Sequence, residues 1–328
     1  SSALIVTNET VAPLYLDALL ASLGPTNNHS LVLPDGESFK TMASWSTIID
    51  SLVEMRATRD TTLITLGGGV IGDMGGFAAA TYMRGINFVQ VPTSLLAQVD
   101  ASVGGKTGFN HPSGKNLVGA FHQPRAVLID IDTLETLPGR EFSAGLSEVV
   151  KIAAVRDGAF MDWLEENRAA IMAREPEALT TMIRRSVENK ASVVAEDERE
   201  AGVRALLNFG HSFAHAIETL TDYSEFLHGE AVSIGMMIAS RLSETRGLCE
   251  AGLSGRLGRL LAAFELPLAL PDSVDTGDIL ETIKLDKKVI AGAIRLILVK
   301  SAGEGIIDSS SVKLQITAAI NASRTPSQ

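Results

Sequence analysis

Short apolar runs and longer amphipathic ones alternate along the first part of the chain and then give way to amphipathic runs alone. Ala3 to Thr7, Ser30 to Leu33, Thr61 to Leu66, Asn87 to Val91 and Ala126 to Ile131 are brief, apolar and rich in β-branched residues, as strands buried on both faces of a parallel sheet are. Thr41 to Met55 and Met74 to Tyr82 lie between them with helical character, so the rhythm predicts βαβ units. After Pro138 the pattern changes. Arg140 to Val155, Ala159 to Ala173, Pro176 to Ala195, Ala205 to Leu220, Gly229 to Thr245 and Ser254 to Phe264 read as helices, with AIRLILVK (Ala293 to Lys300) as one late strand. The expectation is an α/β protein with a parallel-sheet domain over residues 1–138 and a mainly α-helical domain over 139–328. The boundary falls near Leu137 to Gly139, where a Pro and a Gly follow the last strand.

Composition narrows the partners. With 328 residues, 45% of them hydrophobic and 20% charged, the chain is an ordinary globular protein of one large core or two smaller ones. A formal charge of −11 argues against nucleic acid and against an anionic membrane as partner, so any bound phosphate needs local basic residues. A single cysteine, Cys249, excludes an intramolecular disulfide and fits a reducing, cytoplasmic setting. It also leaves histidine and carboxylate as the metal ligands. The longest nearly uncharged apolar run, Ala231 to Ser240, is too short to span a bilayer. A start at Ser1 without Met points to a trimmed or processed beginning, and residues 321–328 form a polar tail.

Candidate chemistry concentrates in a few stretches. Asn208 to Glu230, NFGHSFAHAIETLTDYSEFLHGE, holds three of the six histidines. His211 and His215 are four apart, so a helix sets both imidazoles on one face, and His228 can fold back toward them. Spacing alone makes His211 and His215 joint metal ligands, or one of them an acid/base group beside the metal; core or helix-surface histidines are the plain alternative. TLGGGVIGD (Thr65 to Asp73) is a strand end followed by a glycine turn, and Gly67, Gly69 and Gly72 satisfy the G-x-G-x-x-G spacing that lets backbone amides approach a phosphate. The acidic residue expected about twenty positions later is absent. Asp73, Asp35 and Glu37 are the nearby acidic candidates, with helix capping the plain role for Asp73. Asp100 to Asn116, DASVGGKTGFNHPSGKN, is too polar for a core element. It brings Lys106 and Lys115 together with glycines, either as an anion-binding segment or as a mobile surface loop. Glu148 and Lys151, three apart in GLSEVVK, share a helix face, where such a pair is usually solvated.

At these motifs the chain becomes recognisable. LGGGVIGDMGGF (Leu66 to Phe77), QVPTSLLAQVDASVGGKTGFNHPSGKN (Gln90 to Asn116), GLSEVVK (Gly145 to Lys151), RALLNFGHSFAHAIE (Arg204 to Glu218) and LHGEAVSIGM (Leu227 to Met236) resemble the 3-dehydroquinate synthase family of sugar phosphate cyclases, in the family's order, over about Val6 to Leu298. The resemblance implies an NAD-binding α/β domain, a helical metal-binding domain and a homodimer. It also implies conversion of a sugar acid phosphate, 3-deoxy-D-arabino-heptulosonate 7-phosphate, to 3-dehydroquinate and phosphate in the shikimate pathway. NAD would be oxidant and then reductant, with no net consumption.

Carried over by motif, the resemblance makes Glu148, His211 and His228 the ligands of Zn2+, with Co2+ a possible substitute. It recasts His215 as a catalytic partner. NAD would lie on Asp35, Gly36, Glu37, Ser38, Phe39 and Lys40, on Gly69, Val70, Ile71, Gly72 and Asp73, and on Thr93, Ser94, Lys106 and Lys115. Thr133, Leu134, Glu135 and Thr136 complete that set. Substrate contacts would come from Asp100, Lys106, Asn116, Lys151, Lys190, Glu200, Arg204, Asn208, His215 and one of Lys287 and Lys288. Arg84 would reach the phosphate bound by a neighbouring subunit. Departures from the family pattern are few: Ala101 stands where Ser is frequent, Ala214 where Gly is frequent, Ile152 to Ala154 lacks a frequent glycine, and the family's usual additional N-terminal strand region is not seen. Rival readings are a polyol dehydrogenase of the glycerol dehydrogenase type, an aminocyclitol cyclase and a binding protein without catalysis. The cluster of basic residues, together with Asn208 in LNFGH, favours the dehydroquinate-forming cyclase.

Overall fold

The strand-like runs of the first part do assemble into one sheet. In the structure, a computed structural model that describes residues 2–25, 27–200, 202–285, 289–290 and 293–324, the chain divides into two compact units, Ser1–Leu137 and Pro138–Gln328. The first contains β1 (Ser2–Asn8), α1 (Ala12–Leu23), β2 (Asn27–Leu33), α2 (Met42–Glu54), β3 (Thr62–Gly67), α3 (Gly69–Thr81), β4 (Asn87–Pro92), β5 (Lys106–His111), β6 (Gly114–Phe121) and β7 (Ala126–Val127). Among the described residues a five-stranded sheet runs in the order β2-β1-β3-β4-β7, with every pairing parallel.

Period-two alternation sorts its side chains onto two faces. Ala3 and Ile5 of β1 pack with Ile64 and Leu66 of β3 under the α1 leucines Leu16, Leu19, Leu20 and Leu23. Leu4, Val6 and Leu63 point the other way, against Ile48 and Leu52 of α2 and Met74 and Ala78 of α3. Both faces are covered by helices, which is why the strands read as continuous apolar runs.

Three expectations change here. The segment read as a polar loop forms a π-helical turn at Ala97–Ala101 and then an antiparallel hairpin of β5 and β6. Its polarity reflects strands lying outside the central sheet. The strand expected over Ala126 to Ile131 is two residues long, because Ile131–Leu134 winds into a 3-10 turn held by the Asp130 side chain. Asp73 does not cap a helix. The cap position of α3 is Gly68, in extended conformation.

The second unit comprises α4 (Gly139–Arg156), α5 (Gly158–Met172), α6 (Pro176–Glu196), a 3-10 turn (Val203–Asn208), α7 (His211–Leu220), α8 (His228–Thr245), α9 (Leu253–Ala263) and α10 (Thr276–Leu285). The short strands β8 (Val289–Ile290), β9 (Ala293–Ile294), β10 (Leu296–Ser301) and β11 (Glu304–Asp308) follow, and then α11 (Lys313–Asn321). α4 is buried continuously from Phe142 to Val155, and α8 nearly so. They form the middle of the unit. The single helix expected over Ala205 to Leu220 is broken at Gly210, whose φ of 81° is left-handed, so α7 starts at His211. The late apolar run becomes β10, antiparallel to β11, with its Val299 N–H donating to Ser243 Oγ of α8 at 3.1 Å. No helix among the described residues is long and apolar enough to cross a membrane.

The end of β11 is tied to α8 by one carboxylate. Asp308 accepts from the Ser310 and Ser311 hydroxyls at 2.7 and 2.6 Å and pairs with Arg246 at 2.6 Å. Burial alone would raise this carboxyl, but the serine bonds and Arg246 outweigh it and hold its pKa down at about 2. A depressed carboxylate adds stability that is fully present above the unfolded value and lost as pH falls through the folded one. Asp308→Asn should therefore destabilise the protein by about 1–2 kcal/mol near neutrality. Its deficit should shrink between pH 4 and pH 2 in urea unfolding. A deficit that does not change with pH would show that the charge is not the stabilising element.

Candidate metal centre and nucleotide-binding edge

Three helices bring one carboxylate and two imidazoles together. Glu148 comes from the middle of α4, while His211 and His228 are the first residues of α7 and α8. Among the described residues they form a group whose ligand atoms all lie within 4.8 Å of one another. The His211 and His228 Nε2 atoms stand 3.8 and 3.7 Å from the same oxygen, Glu148 Oε1. Close helix approach makes this possible. A Cβ on Gly229, next to His228, would fall 1.9 Å from the Ala144 carbonyl of α4, and one on Gly235 would fall 2.2 Å from the Gly210 carbonyl just before His211. Glycine at these two positions lets α8 lie against the backbones that carry the other two groups.

The other ring nitrogens are engaged as metal-ligating histidines require. His211 Nδ1 lies 3.3 Å from the Phe209 carbonyl and His228 Nδ1 lies 3.3 Å from Glu218 Oε1. An acceptor at Nδ1 fixes the tautomer that leaves Nε2 with a lone pair. Two imidazoles and one carboxylate are the donor set of a catalytic divalent-metal site with an open position, so the residues present fit such an ion. His228 keeps 35% of its side-chain surface exposed, yet its ring is deep enough for burial to favour the neutral form. The Glu218 hydrogen bond and the charges of Glu218 and Glu148 overcome that and raise its pKa, against a smaller lowering by Lys151.

His215 lies one turn along α7, its ring centroid 5.5 Å from that of His211 and 6.4 Å from that of His228, and it is not part of the ligand group. The Glu148 and Lys151 pair is not solvated. Both side chains are buried and joined as an ion pair. α6 packs against α4 and the Val203–Asn208 turn, which places buried Lys190 and Arg204 on elements in contact with the one carrying Lys151. That turn is held by Asp197, which accepts the Gly202 and Arg204 N–H groups at 2.7 and 3.0 Å. Asn208 donates to Glu200 Oε1 at 2.6 Å. Lys287 and Lys288 lie outside the described residues. Glu218 is the residue that sequence reading left unassigned. Its signal was its position, three after His215 and seven after His211 on a helix.

In the first unit the strand order reverses direction between β1 and β3, and in such sheets the crevice at the strands' carboxyl ends takes the ligand. Asn8, the last residue of β1, and Thr10 donate to Asp35 at 2.6 and 2.7 Å. Gly67 ends β3, and its carbonyl accepts Thr93 N–H at 3.1 Å as the chain leaves β4. Ser94 Oγ lies 3.5 Å from where a Gly68 Cβ would be. No side chain caps the start of α3, so Gly69, Val70 and Ile71 present first-turn backbone N–H groups of the kind that suit an anion. Lys40 is buried and donates to Asp73 Oδ2 at 2.5 Å and Asn116 Oδ1 at 2.8 Å. Burial would lower its pKa, but Asp73 and then Glu37 more than compensate and raise it.

Glu37, with Gly36, Ser38 and Phe39, forms the connection into Lys40, and Glu37 Oε1 accepts from Asn110 of β5 at 2.7 Å. Lys106 opens β5 and Lys115 lies on β6, while Asp100 sits in the π-helical turn. Thr133 accepts from Gln98 at 3.0 Å, and Thr136 is bonded to Tyr15 at 2.5 Å. Leu134 is buried and Glu135 exposed. Arg84 is exposed on a turn where it and Met83 both have positive φ, 65° and 48°.

Comparison with known proteins agrees with this arrangement. Residues 30–144 match the family described as 3-dehydroquinate synthase N-terminal and residues 145–289 the one described as 3-dehydroquinate synthase C-terminal. A 3-dehydroquinate synthase from Nitrosococcus oceani is 53% identical over 307 residues, 94% of this chain and 86% of that protein. Among solved structures, ValA, a 2-epi-5-epi-valiolone synthase from Streptomyces hygroscopicus subsp. jinggangensis 5008 with NAD+ and Zn2+ bound, is similar with a TM-score of 0.91. It is 31% identical, covering 98% of this chain and 91% of that one. A 2-deoxy-scyllo-inosose synthase complexed with carbaglucose-6-phosphate, NAD+ and Co2+ is similar with a TM-score of 0.88 at 26% identity, covering 98% and 91%. With both halves matched in sequence, the chain belongs to the 3-dehydroquinate synthase family.

Proposed function

We propose that this protein is an NAD- and zinc-dependent 3-dehydroquinate synthase, a cytosolic homodimer that converts 3-deoxy-D-arabino-heptulosonate 7-phosphate to 3-dehydroquinate and phosphate. The observation that carries this reading is the Glu148, His211 and His228 group on helices that also present or contact buried Lys151, Lys190 and Arg204. A simple alcohol has no need of buried cations, whereas a substrate bearing both carboxylate and phosphate does.

When bound, the metal supplies polarisation of a substrate hydroxyl and NAD supplies reversible hydride acceptance. The chain's own residues do the rest. Lys151, Lys190 and Arg204, with one of Lys287 and Lys288, hold the anionic groups of the substrate, and Asn208 with Glu200 orients its hydroxyls. His215, beside the ligand histidines but outside the ligand group, moves protons. Asp100, Lys106 and Asn116 are further substrate contacts, and Arg84 reaches the phosphate of the adjacent subunit. Asp35 to Lys40, Gly69 to Asp73, Thr93, Ser94, Lys106, Lys115 and Thr133 to Thr136 hold NAD.

With that substrate, NAD and zinc, phosphate and dehydroquinate should form in equal amounts and absorbance at the NADH wavelength should stay flat. NADH accumulating in step with product would support a dehydrogenase instead.

Metal content separates the roles of the histidines. Glu148→Ala, His211→Ala and His228→Ala should each lose metal in a purified, folded protein. His215→Ala should retain it and lose turnover by about 10²–10⁴-fold, the usual contribution of a positioned proton-transfer group. A folded His215→Ala protein without metal would restore the i, i+4 pair as ligands.

Arg84→Ala should weaken substrate binding by about 2–4 kcal/mol, as truncating one member of a buried charge pair does, and leave NAD binding unchanged. Mixed with His215→Ala subunits it should regain activity, because the heterodimer holds one site with both residues intact. Demonstrated subunit exchange without returning activity would place the arginine in its own chain's site.

A further inference from the structure

The ligand group has a further residue behind it. Glu218 is on α7 and is buried to 4% exposure, with Oε1 3.3 Å from His228 Nδ1. His211, His215 and Glu218 are spaced four and three apart, so one face of a single helix carries a ligand histidine, the proton-transfer histidine and a carboxylate aimed at the ligand histidine of another helix.

We propose that Glu218 is the positioning residue of the metal centre: it accepts the His228 Nδ1–H, fixes the ring and its tautomer, and adds negative charge behind the ligand. This inference rests on the metal-centre reading above. The need for such a residue follows from where His228 stands. It opens α8 with its side chain 35% exposed. His211, by contrast, is 10% exposed in its side chain and is oriented by the Phe209 carbonyl. The less enclosed ligand is therefore the one provided with a charged acceptor. A carboxylate at Nδ1 raises the basicity of Nε2 as well as holding it, which a carbonyl does more weakly.

A purely architectural role is the competing explanation, and side-chain variants that leave the backbone intact separate the two. The turn after α7 is closed by the backbone carbonyl of Glu218, which accepts Tyr223 N–H at 2.9 Å, and substitution of the side chain leaves that bond in place.

The test uses the full-length protein stripped of metal and titrated with Zn2+ against a chromophoric chelator, and with Co2+ followed by its visible absorption. Glu218→Gln keeps the size and an acceptor oxygen but removes the charge, whereas Glu218→Leu removes both. Loss of an outer-shell partner of a metal-bound histidine typically costs about 10–100-fold in metal affinity. The expected order is a loss near the lower end for Glu218→Gln and near the upper end for Glu218→Leu, with an altered Co2+ spectrum and unchanged NAD binding. Thermal unfolding in chelator should be unchanged in Glu218→Gln. Wild-type affinity and an unaltered Co2+ spectrum in both variants would overturn the proposal. So would affinity losses that appear only together with a collapsed unfolding temperature of the metal-free protein. If the wild-type protein itself fails to bind either ion, the metal centre falls and this inference falls with it; wild-type binding with indifferent variants removes Glu218 alone.

Discussion

Glu148 lies in the middle of α4 with its side chain wholly removed from water, and an ionised carboxylate there costs several kcal/mol unless opposite charge stands beside it. The second unit meets that condition with a cation on the same helix. Lys151 is one turn along the same helix and forms the ion pair. The imidazole Nε2 atoms of His211 and His228 approach the same carboxylate oxygen. The charge at the centre of this buried helix stands where the Glu148, His211 and His228 group could hold a metal ion. An apolar residue of similar size would pack there at lower cost and offer no ligand.

The first unit uses the same device with the signs exchanged. Lys40 is buried, and its ammonium joins Asp73 of α3 to Asn116 of β6. The Lys40 carbonyl accepts Asn110 N–H of β5 at 2.8 Å. One cation thereby ties the connection after β2, the helix behind the glycine turn and the hairpin into a single arrangement. In the first unit the buried Lys40 ties elements to one another, whereas in the second the buried Glu148–Lys151 pair lies within α4 and the histidines that open α7 and α8 approach it. Truncating either buried partner would leave an uncompensated charge, and such losses are far larger than those at surface pairs.

Much of this was legible in the chain, and the exceptions have physical causes. The βα rhythm and the change at Pro138 follow from apolar periodicity, which burial on one or two faces imposes directly. The helix α1 went unrecognised although Pro13 stands in its first turn, Leu16, Leu19, Leu20 and Leu23 follow helical spacing, and Gly24 ends it. The β5–β6 hairpin was hidden because its strands lie outside the central sheet and carry no apolar run. Spacing alone paired His211 with His215. Glu148, the carboxylate that groups with His211 and His228, comes from α4, some sixty residues earlier in the chain, and no local pattern announces a partner supplied by tertiary packing. Glu148 and Lys151 gave the signal of a solvated pair, because i, i+3 spacing is the same on a buried helix as on an exposed one.

The break at Gly210 shows how narrowly the site is specified. A continuous helix from Ala205 would still place His211 and His215 on one face, but would leave no point at which α8 could reach the backbone. The preceding 3-10 turn stops at Asn208 with Phe209 as its cap, and Gly210, with φ at 81°, starts α7 one residue later. Its carbonyl sits against Gly235, and its own Cα faces Met236 N, which a Cβ would approach to 2.7 Å. Each residue added before His211 would rotate the α7 face by about 100°. His211, His215 and Glu218 would then all turn away from α4 and α8 together. The position of one glycine thus sets the register of His211, His215 and Glu218 together.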